Sequence, residues 1–163
     1  MAGYSVVCYL LAIKDRHNGN IMLDSAGHII HIDFGFVFGL APGKQASMET
    51  APWKMTEEML EVMGGEEGSR TLQFKKLCTA CLVALKKHSS EILGLLEIMA
   101  YKSNFPSLQY NSRALRDLRG RLMLDVPDDE LPGKVDEMFR RSARHMGTVL
   151  YDRFQLATNN IAP

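Results

Sequence analysis

The chain has 163 residues, of which 46% are hydrophobic and 23% charged, which is the composition of a single globular domain that buries a core. Its 19 basic side chains balance 19 acidic ones, which excludes a protein that recruits nucleic acid through a strongly basic overall charge. The longest apolar run, Val6 to Ile13, falls far short of the roughly 20 residues that span a bilayer, and three cysteines provide no disulfide framework, so we expect a cytoplasmic protein.

The first predicted elements are a buried segment and a hairpin. Residues 4–13 are apolar nearly all round, which is typical of a helix or strand buried on most sides. They lead into the polar stretch DRHNGN, residues 15–20. Two short strand-like runs, 20–23 and 28–32, then flank a turn from Asp24 to Gly27, whose end residues suit local hydrogen bonding and a positive φ. We therefore predict a β-hairpin.

A long loop follows the hairpin. Residues 36–54 show no sustained period and are punctuated by Gly and Pro, and a compact domain seldom keeps such a loop without a functional reason. Thr56 then predicts a helix N-cap, and Gly64 and Gly65 predict the end of that helix.

The rest of the sequence is predicted to be helical. Apolar side chains recur at helical spacing over 74–85, 92–99 and 135–154, and we expect these stripes to face the core. Four arginines mark a basic helix at 113–121, whose charged face we expect to be solvated. The predicted fold class is therefore mainly α (α+β), one domain with a single β-hairpin.

The predicted hairpin indicates the position of a candidate catalytic site. It brings together Asn20, which enters the first strand, and Asp33, which leaves the second, roughly 5 Å apart across the pair. An amide oxygen and a carboxylate are hard ligands of the kind that Mg²⁺ accepts, with phosphate oxygens and water at its other positions. Asp15, Arg16 and His17 add a carboxylate, a fixed positive charge and an imidazole on the same loop. This combination is typical of phosphoryl transfer.

Two stretches carry a family resemblance. KDRHNGNIML (14–23) and GHIIHIDFGF (27–36) resemble the catalytic loop and the metal-binding loop of the phosphatidylinositol 3-/4-kinase superfamily. Lys14, ETAPWKMTEEMLEVMGG (49–65) and LYDRFQLATNNI (150–161) are similar, more narrowly, to type III phosphatidylinositol 4-kinases, especially their beta class.

The resemblance implies a protein-kinase-like C-terminal lobe over residues 1–163. Its catalytic loop would be 14–23, its metal-binding and activation loop 31–55, and its helical remainder 56–158. Such kinases act as peripheral enzymes on intracellular membranes, and the resemblance favours the Golgi.

The resemblance also implies a metal site. Asp33, within the metal-binding loop that continues through Phe34 and Gly35, is expected to bind the Mg²⁺ or Mn²⁺ that bridges the phosphates of the co-substrate ATP. Asn20 is expected to complete the coordination.

The remaining residues of the catalytic loop handle the proton or support the loop. Asp15 and His17 are both candidates for accepting the inositol hydroxyl proton, and the sequence does not choose between them. Arg16 is expected to have a structural role, pairing with a nearby carboxylate or carbonyl.

The loop after Asp-Phe-Gly bears on the substrate. A headgroup that already carries phosphates calls for several basic side chains, and between 36 and 54 only Lys44 and Lys54 are basic. The loop therefore suits phosphatidylinositol whose headgroup carries no further phosphates, in a membrane. The family resemblance implies that its 4-hydroxyl is the group phosphorylated. Trp53 either rests at the membrane interface or packs against the helix at 56–63.

Three hypotheses for function follow. The first is a phosphatidylinositol 4-kinase catalytic fragment; with no Gly-rich loop or strand Lys in the sequence, the N-lobe is expected to be absent and the isolated chain inactive. The second is a Ser/Thr protein kinase of the phosphatidylinositol-3-kinase-related group. The third is a truncated, non-catalytic binding module. No nucleic-acid partner is expected.

Overall fold

The computed structural model describes residues 1–42, 50–109, 113–143, 150, 156–158 and 161. Within these ranges the chain is mainly helical with one two-stranded antiparallel sheet, which confirms the predicted fold class. The elements are α1 (Ala2–Leu10), β1 (Ile21–Leu23), β2 (Ile29–His31), α2 (Glu57–Val62), α3 (Ser69–Lys87), α4 (Ser89–Ala100), α5 (Ala114–Arg121) and α6 (Leu131–Ala143), with short 3-10 helices at Asn18–Asn20 and Pro106–Leu108. No described helix is both long and apolar enough to cross a membrane.

The core consists of two clusters of buried apolar side chains, and helix α1 contributes to both of them. The larger cluster joins α1, α3 and α6 and contains Val6, Phe74 and Phe139. The smaller cluster joins α4 and α5 and receives Leu10 from the last turn of α1. The apolar segment at 4–13 is therefore largely a helix, and its two buried faces explain why it is apolar nearly all round.

The predicted apolar stripes are buried only in part. Phe74 of α3 and Leu96 of α4 are buried, as the spacing predicts. Leu95 and Met99 of α4 are 60% and 50% exposed, so the prediction that they face the core is wrong. Helix α4 packs through a narrower face than its run of apolar residues suggests. Most of the predicted stripe beyond α6 lies outside the described residues.

The hairpin turn is shorter than the sequence suggests. Strands β1 and β2 pair with Ile21 opposite His31. The Asp24 amide donates to the His28 carbonyl at 3.0 Å, and the Asp24 carboxylate accepts a hydrogen bond from the His28 amide at 2.8 Å. These bonds close a three-residue loop that ends at Gly27, whose φ of 82° suits the left-handed position of such loops.

This turn sets which residues meet at the mouth of the hairpin. The Ile32 amide donates to the Asn20 carbonyl at 3.1 Å, so Asn20 faces Ile32. The predicted pairing of Asn20 with Asp33 is therefore wrong by one position. That pairing would place Asp24 opposite Ile29, whereas Asp24 lies opposite His28 in the structure. Asp33 lies just beyond the paired strands.

Glycines and a capping threonine shape the connection around α2. Thr56 accepts a hydrogen bond from the amide three residues on at 3.3 Å, which confirms the predicted N-cap. Gly64 and Gly65 follow the helix with φ values of 85° and 83°. At Gly68 the chain folds back so closely that a Cβ atom would lie 2.2 Å from the Met63 carbonyl oxygen. Only glycine fits there without movement of the backbone.

Candidate active site

The polar stretch between α1 and β1 is mostly buried, although it carries charge. Arg16, His17 and Asn20 are all buried. Buried polar groups cost free energy unless they are hydrogen-bonded. The contacts of these side chains therefore show what holds the loop in place.

Arg16 joins the two predicted loops to each other. Its Nε donates to the Lys14 carbonyl at 3.0 Å, and its Nη1 donates to the Ile32 carbonyl at 2.8 Å and to the Asn20 carbonyl at 3.4 Å. Its Nη2 donates to the Asp33 carbonyl. One planar guanidinium thus holds main-chain oxygens of both the catalytic loop and the metal-binding loop. The sequence predicts that Arg16 pairs with a nearby carboxylate or carbonyl. The structure shows pairing with carbonyls.

Asn20 has a defined amide orientation. Its Nδ2 donates to the Asp15 carbonyl at 2.8 Å and lies 3.2 Å from His17 Nε2. Because a carbonyl can only accept, the nitrogen must be the atom that faces Asp15. The second Nδ2 hydrogen is then directed to His17 Nε2, and Asn20 Oδ1 remains the acceptor that can serve as a ligand.

Asp33 is exposed and stands in an unusual backbone conformation. Its φ is 55°, in the left-handed region, and Asp15 has a φ of 64°. Non-glycine residues seldom adopt this region, and such residues cluster at functional sites. The Asp33 carboxylate accepts a hydrogen bond from the Gly35 amide at 3.2 Å, and the Phe34 ring lies 5.6 Å from the Arg16 guanidinium carbon.

Asp15 and His17 lie side by side. His17 Nε2 is 3.9 Å from Asp15 Oδ1, and the two side chains are 11% and 13% exposed. Since Asn20 directs an N–H at His17 Nε2, that nitrogen carries a lone pair, and a neutral imidazole has its proton on Nδ1. The lone pair of His17 Nε2 is therefore engaged by the Asn20 amide.

His31 is a site residue that the sequence reasoning missed. Its ring stacks on Tyr4 at a centroid distance of 4.5 Å, and its Nδ1 lies 3.4 Å from Cys8 Sγ. Burial, with the charges of Arg16 and the N-terminus, lowers the pKa of His31 to about 4. The available signal was the spacing of Tyr4 and Cys8, which share one face of a helix, together with a histidine two residues before Asp33.

Of the predicted substrate-loop residues, Trp53 does not join this group. Trp53 is 4% exposed and packs edge-on against Phe74 at 6.1 Å, so it belongs to the core and not to an exposed interface. Lys54 is partly buried just before α2. The Lys14 ammonium donates to the Ala51 carbonyl at 3.4 Å, which ties the catalytic loop to this segment. Lys44 lies outside the described residues.

Comparison with known proteins extends the match beyond the two loops. The sequence model of the family described as phosphatidylinositol 3- and 4-kinase matches residues 1–108. Proteins named phosphatidylinositol 4-kinase beta from Danio rerio, Sorex araneus and Homo sapiens are each 42% identical to the chain over 160 residues. The aligned region is 98% of this chain but only 19 to 20% of those proteins, so the chain spans about a fifth of the length of these curated relatives.

Proposed function

The chain belongs to the phosphatidylinositol 3- and 4-kinase family, and from that membership we propose that it forms part of the catalytic core of a phosphatidylinositol 4-kinase. The reaction transfers the γ-phosphate of ATP to the 4-hydroxyl of phosphatidylinositol. The observation that carries the proposal is the Arg16 guanidinium, which binds carbonyls of both the Asp15–Asn20 loop and the Asp33 loop and so makes them one site.

The donor atoms of this site fit a divalent cation. Asp33 offers a carboxylate and Asn20 an amide oxygen, and Mg²⁺ prefers such hard oxygens while taking its other ligands from phosphates and water. Mn²⁺ accepts the same donors. When bound, the ion supplies charge neutralisation between the ATP phosphates. Asp33 and Asn20 are the residues that would hold it.

An apolar surface beside these donors suits the nucleotide base. Met22, Ile30 and Ile32 are 51%, 40% and 39% exposed. They share one face of the hairpin, because Met22 pairs with Ile30 and side chains two apart in a strand point the same way. His31 belongs to the opposite face. A flat purine ring resting on these side chains would cover exposed apolar surface while its phosphates reach Asp33.

The geometry favours Asp15 as the acceptor of the inositol hydroxyl proton. The Nε2 lone pair of His17 already faces an Asn20 N–H, at 3.2 Å, so His17 must give up that hydrogen bond before it can accept a proton. Under this assignment Asp15 takes the proton, and His17 lies beside it with Nε2 3.9 Å from Asp15 Oδ1.

Phosphatidylinositol in a membrane is the proposed lipid substrate, and the low count of basic residues between 36 and 54 supports a headgroup without phosphates. Peripheral association with intracellular membranes, and with the Golgi in particular, follows from the family resemblance alone and stays a prediction.

The proposal is tested in a chimaera. These 163 residues would replace the matching segment of the Danio rerio relative, and the purified protein would be assayed with radiolabelled ATP and phosphatidylinositol vesicles. We expect 4-phosphorylated lipid, with the rate reduced to background by Asp33→Asn. Asp129→Asn, an exposed carboxylate between α5 and α6, is the matched control and should leave the rate unchanged.

Two results would contradict the proposal. A folded chimaera without activity would favour the non-catalytic binding module, and transfer of label to protein serine or threonine in place of lipid would favour the protein-kinase hypothesis. Activity that survives Asp33→Asn would exclude the proposed metal ligand.

A further inference from the structure

Helix α1 holds the imidazole of His31 through two side chains. Tyr4 stacks on the ring with an angle of 13° between the planes, and Cys8 lies 3.4 Å from Nδ1. Tyr4 and Cys8 are four residues apart, so they occupy successive turns of one helix face. Both the plane and the edge of the imidazole are thereby fixed against α1.

The chain is held at each residue from His31 to Asp33. After His31 is fixed by α1, the Ile32 amide binds the Asn20 carbonyl, and the Ile32 and Asp33 carbonyls both bind Arg16. Since the peptide units are planar, the backbone rotations between the Cα atoms of His31 and Asp33 are confined to ψ of His31, φ and ψ of Ile32 and φ of Asp33. The position of His31 therefore limits the positions that Asp33 can adopt.

The segment that follows α1 holds the other end of the loop. The Lys14 amide donates to the Phe36 carbonyl at 2.8 Å, and the Phe38 amide donates to the Leu11 carbonyl at 2.7 Å. Between these anchors the residues Ile32 to Gly35 are exposed. An exposed loop in a strained conformation keeps its shape only when its ends are fixed, and here α1 and the residues directly after it contact both ends.

From these contacts we infer that Tyr4, Cys8 and His31 are positioning residues, through which the docking of α1 sets the orientation of the Asp33 carboxylate toward a bound divalent cation. The inference rests on the proposed function, in which Asp33 is a metal ligand. Residues that orient a metal ligand without touching the metal typically change metal affinity or activity 10- to 100-fold when they are replaced.

The kinetic test separates positioning from general stability. In the chimaera, Tyr4→Ala should raise the Mg²⁺ concentration needed for half-maximal activity by roughly tenfold, whereas Tyr4→Phe, which keeps the stacked ring, should restore the original requirement. Val135→Ala is the matched control, because Val135 is buried in α6 and its truncation loosens the core while Tyr4, Cys8 and His31 keep their side chains. An equal change in the Mg²⁺ requirement for Val135→Ala and Tyr4→Ala would overturn the inference.

A second readout does not depend on activity. In the 163-residue chain, the backbone amide resonances of Phe34 and Gly35 should shift on Tyr4→Ala and on His31→Ala, return on Tyr4→Phe, and stay in place on Val135→Ala. Tyr4→Leu replaces Tyr4→Ala in both tests if the alanine variant does not fold. Unchanged Phe34 and Gly35 resonances would overturn the inference. An inactive parent chimaera with shifted resonances would refute the proposed function and leave the mechanical coupling of α1 to the loop established.

Discussion

Arg16 illustrates how a single side chain organises this site. Its guanidinium offers five N–H groups in a fixed plane, and it uses them on carbonyl oxygens of Lys14, Asn20, Ile32 and Asp33. A lysine has one compact ammonium in place of this fork and cannot reach the same set of acceptors. The shape of the Arg16 side chain, and not merely its charge, therefore holds the two loops together.

The first prediction concerns this fork. Arg16→Lys should lower the free energy of unfolding of the 163-residue chain by about 2 kcal/mol or more, because it removes several hydrogen bonds from a charged donor, each of which contributes about 1.5–3 kcal/mol. Urea unfolding followed by circular dichroism measures the change. Arg119→Lys, on the exposed side of α5, should change it by less than about 0.5 kcal/mol. Equal effects of the two variants would contradict the role of the fork.

The second prediction concerns the proton acceptor. In the chimaera, Asp15→Asn should lower kcat by roughly 100-fold or more, the usual contribution of a general base, with little change in the KM for ATP. His17→Gln should lower kcat by less, since His17 Nε2 accepts a hydrogen bond from the Asn20 amide. A loss for His17→Gln as large as that for Asp15→Asn would assign the proton to His17.

Among the elements, the tight connection from α2 to α3 leaves the least freedom for substitution. Gly64 and Gly65 end α2 in left-handed conformations, and the Thr71 hydroxyl of α3 donates to the Gly65 carbonyl at 2.6 Å. Gly68 then passes close to the Met63 carbonyl. The glycines here serve two different needs, positive φ at the first two positions and close backbone approach at Gly68.

Gly68→Ala should therefore destabilise the chain by about 2 kcal/mol or more, as overpacking against a fixed backbone does. Gly94→Ala is the matched control, because within the described residues, apart from its chain neighbours and its own helix backbone, no atom lies within 4 Å of a Cβ at this position of α4. Replacing glycine by alanine inside a helix stabilises by about 0.5–1 kcal/mol. Thermal unfolding of both variants checks the opposite signs. Two variants that shift the melting temperature in the same direction would contradict this account.

Much of the secondary structure follows from short-range signals in the sequence. Thr56 and the glycine pair mark the ends of α2, and Asp24 and Gly27 mark the hairpin. The register could not be predicted, because it depends on whether the turn closes at His28, which an Asp24 side-chain bond decides. The burial of Trp53 likewise depends on α3 and α6 packing around it, which no local pattern encodes.

The residues of the site were predictable as a set, but not their contacts. Asp15, Arg16, His17, Asn20 and Asp33 stand in a motif that a single sequence reveals. The dependence of Asp33 on Tyr4 and Cys8 arises only when α1 docks beside β2. The spacing of Tyr4 and Cys8 places them on one helix face, but it does not indicate that His31, 23 residues from Cys8, packs against that face. Supporting residues are thus less visible in a sequence than the residues they support.

Helix α1 links the two core clusters, together with Leu85 of α3, which packs against both of them. Trp53, the one tryptophan of the chain, lies in the larger cluster, and Leu122 lies in the smaller. Because α1 supplies side chains to both clusters, loosening one should weaken the other. We therefore expect the chain to unfold as one cooperative unit.

Leu122→Ala tests this coupling. The truncation should cost about 2–5 kcal/mol, and the unfolding midpoint seen by Trp53 fluorescence should fall together with the midpoint seen by circular dichroism. Leu82→Ala, in the larger cluster, provides the comparison. If Leu122→Ala left the fluorescence transition in place while shifting part of the dichroism, the two clusters would be independent.

The left-handed backbone at Asp15 and Asp33 also limits how such a site can change over evolutionary time. Among non-glycine residues, asparagine and aspartate adopt this conformation most readily, whereas β-branched side chains would be excluded by the backbone before any chemistry is considered. Asparagine is therefore the substitution that the backbone tolerates best, since it keeps the hydrogen-bonding shape and loses only the charge. Under the proposed function, a descendant of this chain that lost catalysis should carry asparagine at these positions and melt at nearly the same temperature as this chain.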